Sequence, residues 1–460
     1  MKHNGILNGA LASLMLLGGC ATFSNDGGLG DSARIAGDRL GKEIRPARTE
    51  DDARAIAATV ANLLSIPLGV DDAVQIALLR NPGLQATYAE LGIAEADLVQ
   101  AGRLHNPGFS FKRTRQAGDV IAERTLTFNL IELITMPIAA RSEARQFEVA
   151  KLLVADQVLG VASDTRRAYF QAVAAQQSVK YAAQVNAAAE AGADLAARMA
   201  HAGNWSSLEQ AREQTFHAEA TAALARANKA GVSSREKLVR LMGLAGNELD
   251  FQLPDRLPDL PAEALDMGDA ETFAMAHRLD IQAAKQQSAS VAASLGLSRT
   301  TRFVNALDLG VVRNTETGRP AARGYEISVE IPLFDWGEAR VAKTEAIYMQ
   351  SVNRLAETSI NARSEVRERY AAYHADYKLA RHYRDHIVPL RKKISEENLL
   401  RYNGMLIGVF ELLADSREQV SSVSAYIDAL RDYWIAETEL AAAMGGQLPT
   451  AGTENKGSMP

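Results

Sequence analysis

The stretch RGYEISVEIPLFDWGEARVAKTEA, residues 323–346, changes from one periodicity to another near its middle. In its first half, polar residues or proline alternate with large apolar residues at Tyr325, Ile327, Val329, Ile331 and Leu333. An alternation of period two predicts a β-strand with two different faces. After Asp335-Trp336-Gly337, a helical pattern begins and continues for tens of residues. The chain therefore combines long helices with at least one strand of two-faced character.

The composition suits long packed helices better than a thick globular core. Of 460 residues, 47% are hydrophobic but only 6% are aromatic, and much of the apolar content is alanine. Such a composition favours close packing of helix against helix. The formal net charge of −6 argues against nucleic acid as a partner, because that would require a basic face. The body of the chain lacks a run of about 18 apolar residues, so no ordinary transmembrane helix is predicted.

The N-terminus has the features of a secretion signal. Lys2 precedes a mostly apolar segment at residues 6–17, which is too short to span a membrane as a helix. The segment ends in Leu17-Gly18-Gly19-Cys20, which resembles the lipobox of bacterial lipoproteins, where the cysteine becomes an acylated N-terminus. Residues 1–19 would then be a signal peptide and Cys20 the lipidation site. Because Ala21 follows Cys20 instead of aspartate, the resemblance also implies sorting to the outer membrane.

Cys20 is the only cysteine of the chain, so an internal disulfide is excluded. An ordinary signal peptide followed by a chance cysteine is the alternative interpretation.

The sequence repeats one order of elements twice: a helix, a pair of strands, a very long helix, a tight turn and a second long helix. Local matches support this duplication. RRAY at residues 166–169 corresponds to RERY at 367–370, and AREQ at 211–214 corresponds to SREQ at 416–419. The offset of about 200 residues is too long for a solenoid and fits a gene-level doubling.

We predict six segments from this pattern. They are a signal peptide at 1–19, an acylated tether and lead-in at 20–66, a first repeat at 67–253, a Pro-rich connector at 254–262, a second repeat at 263–446 and a disordered tail at 447–460. The first repeat contains strands 106–115 and 122–133 and long helices 138–202 and 207–242. The second contains strands 301–313 and 323–334 and long helices 338–402 and 409–444. Pro389 is expected to kink or break the helix at 338–402.

Both long helices carry small and apolar residues at alternating steps of four and three, which indicates coiled-coil seams. The helices return after turns at Gly203-Asn204 and Asn403-Gly404, where we expect glycine to adopt the left-handed conformation. Taken alone, the helices would also fit a cytoskeletal or scaffolding coiled coil.

The four strands distinguish between these interpretations. Each is about 10 residues long, which is the length that crosses a bilayer as a tilted strand. Four strands cannot close a barrel, and open sheet edges are not tolerated in lipid, so several copies would have to share one barrel. Three copies would supply twelve strands, enough for a pore. Soluble hairpins packed on helices are the alternative, but the lipoprotein start and the long helical hairpins favour the membrane.

Three stretches resemble the TolC-type outer-membrane efflux family, especially its lipid-anchored branch. They are LGVDDAVQIALLRNPGLQATYAELGIAEADL at 68–98, EIPLFDWGEAR at 330–340 and RYNGMLIGVFELLADSREQ at 401–419. In that order, they are similar to the family's opening helix, its strand-to-helix junction and its hairpin at the periplasmic end. The resemblance implies a mainly α fold with a small transmembrane β part. In a homotrimer, four β-strands per chain would complete a 12-stranded outer-membrane barrel, and duplicated long helical hairpins would form a coiled-coil periplasmic barrel.

The resemblance also implies a function that is not enzymatic and needs no cofactor. The protein would be the exit duct of a tripartite efflux system, conducting substrates passively to the exterior. Its partners would be a periplasmic adaptor, an inner-membrane transporter and outer-membrane lipid, with no nucleic acid. A periplasmic coiled-coil scaffold or adhesin lipoprotein without a pore is the alternative.

Candidate site residues follow from the same resemblance. In the family, acidic residues near the closed periplasmic end narrow the pore and attract cations. The positions here that fall in that stretch are Glu411 and Asp415, with Glu209 as the equivalent in the first repeat. A solvated helix face is the alternative for each. The expected adaptor-facing tips, for which a purely structural role at helix ends is the alternative, are Gly203, Asn204, Asn403 and Gly404.

His382 and His386 stand four residues apart on one helix face, a spacing that can hold a metal. With Asp385 between them, the sequence loosely resembles the H-x-x-E-H pattern of zinc hydrolases. A hydrolase would need a third ligand and a pocket, and the sequence indicates neither. We therefore interpret the two histidines as part of a polar helix surface and predict no metal site and no catalytic residue.

Overall fold

The computed structural model describes residues 22–116, 118–303 and 306–448. The predicted signal peptide, Cys20 and residues 449–460 of the predicted tail lie outside the described residues. Of the helices in the described part of the chain, none combines the length and the hydropathy of a membrane span.

As predicted, the chain is mainly helical with a small β part. The first series of elements comprises α1 (Leu29–Leu40), α2 (Glu50–Leu64), α3 (Val70–Arg80), α4 (Pro82–Ala101), β1 (Gly108–Gln116), β2 (Asp119–Asn129), α5 (Leu130–His201) and α6 (Ser207–Met242). The second comprises α7 (Ala270–His277), α8 (Leu279–Thr300), β3 (Leu307–Glu316), β4 (Ala322–Val329), α9 (Glu338–His382), α10 (Val388–Asn403) and α11 (Val409–Ala443). From α3 onward, one order of elements therefore occurs twice: two helices, a hairpin of strands, a long helix and a returning helix.

The described chain divides into two compact units that do not coincide with the sequence repeats. The first unit takes in the chain up to Ser32 together with residues 87–154 and 279–360. The second takes in residues 33–86, 155–278 and the chain from Asn361 onward. Each unit thus contains segments of both repeats.

The first unit contains one sheet, in which all four strands are antiparallel and ordered β1-β2-β3-β4. The central pair joins the two repeats, with Leu126 of β2 opposite Val311 of β3. Leu126 also lies opposite Phe109 of β1, and Val311 lies opposite Tyr325 of β4. Because β1 and β4 pair on one side only, this sheet has two open edges.

Two of the predicted strands are too long at their C-terminal ends, whereas β3 continues to Glu316, beyond the predicted end at 313. The strand predicted at 122–133 ends at Asn129, and residues 130–133 begin α5. The Asn129 side chain accepts a hydrogen bond from the backbone N–H of Glu132 (2.9 Å), which is an N-cap interaction that starts a helix. For this reason α5 begins eight residues before the predicted start at 138 and includes Pro137. The strand predicted at 323–334 ends at Val329, because Pro332 lacks the N–H that would continue the ladder.

All four strands also begin at residues other than those predicted: β2 begins at Asp119 instead of 122, and β4 at Ala322 instead of 323. The strand predicted at 301–313 begins at Leu307, since α8 continues to Thr300. Hydroxyl groups at the end of α8 bond back to its carbonyls: Thr300 donates to Gly296 (2.9 Å) and Thr301 donates to Leu297 (3.0 Å). The strand predicted at 106–115 spans Gly108–Gln116.

The second unit has an apolar core that includes several aromatic rings. Phe170 of α5 stacks on Trp434 of α11, with ring centroids 5.4 Å apart. Tyr373 of α9 and Tyr433 of α11 are fully buried. The Tyr169 hydroxyl donates to the carbonyl of Leu68 (2.9 Å), and burial raises the pKa of Tyr169 to about 12, so the hydroxyl keeps its proton. Aromatic residues of both long hairpins therefore pack together in this core.

Tyrosines of α9 also hold the chain that links the repeats. The Tyr377 hydroxyl donates to the carbonyl of Ala262 (2.7 Å), and the Tyr373 hydroxyl accepts from the N–H of Leu265 (3.0 Å). On α11, the Trp434 indole N–H donates to the carbonyl of Pro258 (3.1 Å). The Pro-rich connector is thus attached to the helices that follow it.

The second long helix is interrupted, as expected near Pro389. A π-helical turn, Tyr383–Ile387, separates α9 from α10, and the proline lies in the first turn of α10. Pro389 lacks the N–H that an uninterrupted α-helix would use, and a π turn absorbs the mismatch. The predicted helix 338–402 is therefore two helices with a wider turn between them.

Candidate gate and hairpin ends

The first hairpin end, between α5 and α6, is a Schellman turn. Gly203 has φ +74°, and its N–H donates to the carbonyl of Ala200 (3.0 Å). The N–H of Asn204 donates to the carbonyl of Met199 (2.9 Å). These two bonds satisfy the last carbonyls of α5, and the left-handed conformation is one that glycine adopts without strain.

Glu209 belongs to the cap that follows this turn. Its carboxylate accepts from the backbone N–H of Ser206 (2.7 Å), while the Ser206 hydroxyl accepts from the N–H of Glu209 (3.3 Å). This reciprocal pair is a capping box at the start of α6. The hydrogen bond from the Ser206 backbone lowers the pKa of Glu209. The capping box is thus a structural role for Glu209.

The second hairpin end, between α10 and α11, corrects one prediction. Gly404 has φ −82° and is not left-handed; the left-handed residue is Met405, with φ +59°. The N–H of Met405 donates to the carbonyl of Tyr402 (2.9 Å), and that of Leu406 donates to the carbonyl of Arg401 (2.9 Å). These two hydrogen bonds follow the same pattern as those of the first turn. Because α10 ends at Asn403, the left-handed residue is Met405, one residue after the glycine.

The side chains at this second turn are apolar and open to solvent. Met405 is 93% exposed and Leu406 is 76% exposed in the chain as described. Exposed apolar side chains on a turn indicate a contact with another molecule more strongly than polar ones do. The sequence interpretation placed the tip at Asn403 and Gly404 and did not single out these two residues.

The two acidic candidates of the second repeat lie in the first turns of α11, in different environments. Glu411 is exposed, whereas Asp415 is 9% exposed. The Oδ2 atom of Asp415 is buried without a hydrogen-bond partner among the described residues. Residues four apart share a helix face, so both carboxylates lie along one stripe of α11. A buried carboxylate oxygen without a donor is costly, which makes Asp415 the more unusual of the two.

The structure also contains a buried ion pair that the sequence reasoning missed. Glu213 of α6 is 1% exposed, and its Oε1 lies 2.5 Å from Nη2 of Arg417 on α11. The Arg417 guanidinium also lies 4.6 Å from the centre of the Phe216 ring. Nearby, Arg212 lies 5.1 Å from the ring of Phe410. These contacts join the first hairpin to the second close to both turns.

A signal for this pair was present in the sequence. Glu213 lies in AREQ and Arg417 in SREQ, the two matched motifs that indicated duplication. Identical charged pairs at equivalent positions of two packed hairpins can also bond across to each other, and one such bond forms here.

The two histidines of the predicted polar surface lie at the π turn. The rings of His382 and His386 have centroids 5.2 Å apart, and the carboxylate of Asp385 is bonded to Arg384 (2.6 Å) and Arg381 (3.3 Å). Within residues 22–116, 118–303 and 306–448, no group of three His, Cys, Asp or Glu side chains could hold a metal ion.

Known proteins resemble this chain in structure but not detectably in sequence. No family model matches, and no curated protein matches by sequence. Solved structures do match. CusC, described for transmembrane channel formation, aligns with TM-score 0.69 at 16% identity, covering 82% of this chain and 92% of that one. The CmeC outer membrane channel of Campylobacter jejuni aligns with TM-score 0.70 at 17% identity, covering 83% and 86%.

The outer membrane protein VceC of Vibrio cholerae aligns with TM-score 0.68 at 15% identity, covering 82% of this chain and 96% of that one. At identities this low, the alignments give information on the fold alone, and they extend over nearly the whole of each neighbour. The chain therefore has the fold of the TolC-type outer-membrane channels.

Proposed function

We propose that this protein is the outer-membrane exit duct of a tripartite efflux system. The observation that carries the proposal is a strand sheet with two open edges and an exposed apolar face, in a chain with the fold of known outer-membrane channels. Phe109 and Tyr325 are 69% and 79% exposed on that face, on the two edge strands. An exposed apolar face of this size is normally buried against another surface, and for this fold that surface would be the hydrocarbon of a bilayer.

Open edges require further strands, because unpaired backbone groups in lipid cost several kcal/mol each. The edges β1 and β4 can pair with each other only between copies of the chain. We propose three copies, which supply twelve strands and form one closed barrel. The duplicated helical hairpins would then continue as a periplasmic tunnel that conducts substrates passively, without a cofactor or a reaction.

We further propose the sites assigned from the sequence. Cys20 would be acylated and would anchor the chain in the outer membrane. Both turns would face a periplasmic adaptor that connects to an inner-membrane transporter. The tips would be Gly203 and Asn204 in the first turn and Asn403 and Gly404 in the second, and we add Met405 and Leu406, which are exposed. Their apolar side chains would supply buried area on docking.

The gate would be formed by Glu411 and Asp415 of each copy, with Glu209 beside them in the first repeat. Rings of carboxylates favour cations in a pore. The buried Glu213–Arg417 pair would hold the two hairpins of one copy together while the gate is closed.

The test is reconstitution of the acylated protein in planar bilayers. We expect a trimer in detergent and cation-selective single channels, and we expect the variant E411Q/D415N to lose much of the cation selectivity measured by reversal potential. E397Q, which removes an exposed carboxylate of α10, is the matched control and should leave selectivity unchanged. A monomer without channel activity would contradict the duct and favour a coiled-coil scaffold. Channels with unaltered selectivity would contradict only the gate.

A further inference from the structure

Arginines form a row across three neighbouring strands of the sheet. The register places Arg124 of β2 opposite Arg313 of β3, and Arg313 opposite Arg323 of β4. On β1, the same row continues with Phe111. Because directly opposite residues point to the same side of a sheet, all four side chains lie on one face. We call Arg124, Arg313 and Arg323 the arginine row.

Two more arginines extend this row toward the hairpin turns. Arg113 and Arg115 of β1 follow Phe111 at steps of two and therefore share its face. All five arginines are exposed. On each strand they lie nearer to a hairpin turn than the large apolar residues of that face do, except that Val120 and Ala122 of β2 lie beyond Arg124, opposite Arg115 and Arg113. The face is thus divided into an apolar part beside the helices and a cationic part beside the turns.

The charges are sorted between the two faces of the sheet. The arginine face has no acidic residue on any strand. The opposite face has one cation, Lys112, whose register partner is Glu123. The register assigns five carboxylates to that opposite face, namely Asp119, Glu123, Asp308, Glu316 and Glu326.

This sorting decides which face meets lipid in the proposed barrel. The row next to the arginines, on the helix side, consists of Phe109, Leu126, Val311 and Tyr325. The acidic face has no comparable apolar row, and its Thr125 is buried while Leu126 beside it is 38% exposed. The arginine face is therefore the lipid-facing side and the acidic face the side of the lumen.

Guanidinium groups on a lipid-facing surface have a restricted depth. An arginine at the bilayer midplane of a barrel costs about 2–4 kcal/mol, and the cost falls to near zero at the interface. One row of the sheet is about 7 Å along the strand, so the arginine row lies just beyond the apolar band, at the level of lipid headgroups. Because the turns are at the end opposite the helices, these headgroups belong to the outer leaflet.

The guanidinium groups are available for an external anion. Nη1 of Arg124 lies 3.4 Å from the hydroxyl oxygen of Thr315, and its guanidinium is 5.5 Å from the centre of the Phe111 ring. Within the described residues, no carboxylate forms an ion pair with any of the five arginines. Planar guanidinium groups bind phosphate through two parallel hydrogen bonds, which makes phosphate the fitting ligand.

We propose that the arginine row, with Arg113 and Arg115, binds the phosphate groups of lipopolysaccharide, the phosphorylated glycolipid of the outer leaflet. The proposal rests on the outer-membrane barrel proposed above. Charge complementarity carries it: adjacent guanidinium groups without counter-charges lie at the depth where the phosphates of such a lipid lie.

The test measures retained lipid on the full-length purified trimer by native mass spectrometry. Three probes are added in parallel: lipid A with both phosphates, lipid A with the phosphates removed, and phosphatidylglycerol. We expect the phosphorylated lipid A to be retained, and R124Q/R313Q/R323Q to bind it at least tenfold more weakly. K112Q is the matched control, because it removes a cation from the same sheet on the lumen face, and its retention should equal that of the unaltered protein.

The outcomes are distinguishable from failure of the duct itself. Equal retention by the triple variant and the unaltered protein would overturn the inference, and so would equal retention of lipid A with and without phosphates. Phosphatidylglycerol bound as well as lipid A would overturn the assignment to the glycolipid. Single channels recorded from the triple variant show that its barrel has formed, so a loss of lipid binding with channels intact supports the inference specifically.

Discussion

The two hairpin ends occupy equivalent places in the repeats, but local interactions stabilise them unequally. At the first end, glycine takes the left-handed position and a capping box starts the returning helix. At the second end, Met405 takes that position, and Gly408 precedes α11 without any side-chain cap. The first end therefore has more local stabilisation than the second.

The helices that lead into the two turns also differ in regularity. The helix α5 is continuous over 72 residues, whereas its counterpart is divided by the π turn Tyr383–Ile387. Wider turns of this kind are often found at functional sites. One hairpin thus begins with an uninterrupted α-helix, and the other contains a turn with wider hydrogen bonding.

The largest effect that we expect is on the free energy of local opening when the Glu213–Arg417 ion pair between the two hairpins is broken. Replacing Arg417 by methionine leaves the Glu213 carboxylate buried without its counter-charge, which should lower the free energy of local opening by about 3 kcal/mol. Native-state hydrogen exchange of α6 and α11 measures this quantity.

Two variants sharpen that measurement. E213Q/R417M removes both charges and should recover part of the free energy of local opening that R417M loses. R391M breaks the more exposed Arg391–Glu418 pair (3.0 Å) and should cost less than about 1 kcal/mol. Equal losses for R417M and R391M would show that burial does not distinguish the two pairs.

The next largest effect that we expect is on the stability of each turn when its left-handed residue is replaced. Met405→Gly removes a strained conformation and should stabilise the second turn by about 1 kcal/mol, whereas Gly203→Ala should destabilise the first turn by a similar amount. Hydrogen exchange of the last turns of α5 and α10 reports both changes. A Met405→Gly variant no more stable than the unaltered chain would contradict the difference in strain between the two ends.

The smallest effect concerns the helix caps. Ser206→Ala should cost about 1 kcal/mol at the start of α6, and Gly408→Ser should gain a few tenths of a kcal/mol at the start of α11. The lowered pKa of Glu209 adds a pH dependence: its contribution is complete above the ordinary glutamate pKa and is lost as the pH falls through the lowered folded value. The difference between E209Q and the unaltered chain should therefore shrink in acid; a difference that grows there would contradict the capping box.

Much of the fold could be predicted from the sequence, because periodicity reports which faces are buried. The alternation around Tyr325 and Ile327 correctly indicated a strand, but its end depended on Pro332, and the end of β2 depended on one hydrogen bond from Glu132 to Asn129. Strand length therefore could not be read from hydrophobic pattern alone. Such ends are decided by single backbone groups.

The candidate site was less predictable. The turns were located, yet the position of the left-handed residue depended on where α10 ended, which a glycine in the sequence did not reveal. The Glu213–Arg417 pair required knowledge that α6 and α11 are neighbours. Charge sorting on the sheet became visible only with the register, which aligned Arg124 with Arg313 across strands distant in sequence.

Each compact unit draws segments from both sequence repeats. A polypeptide that stopped at the connector would hold part of two bodies and complete neither of them. A chain of half this length could build either body only together with a second copy. In the single chain the two halves differ in detail, as the glycine and the methionine at the left-handed positions of their turns show.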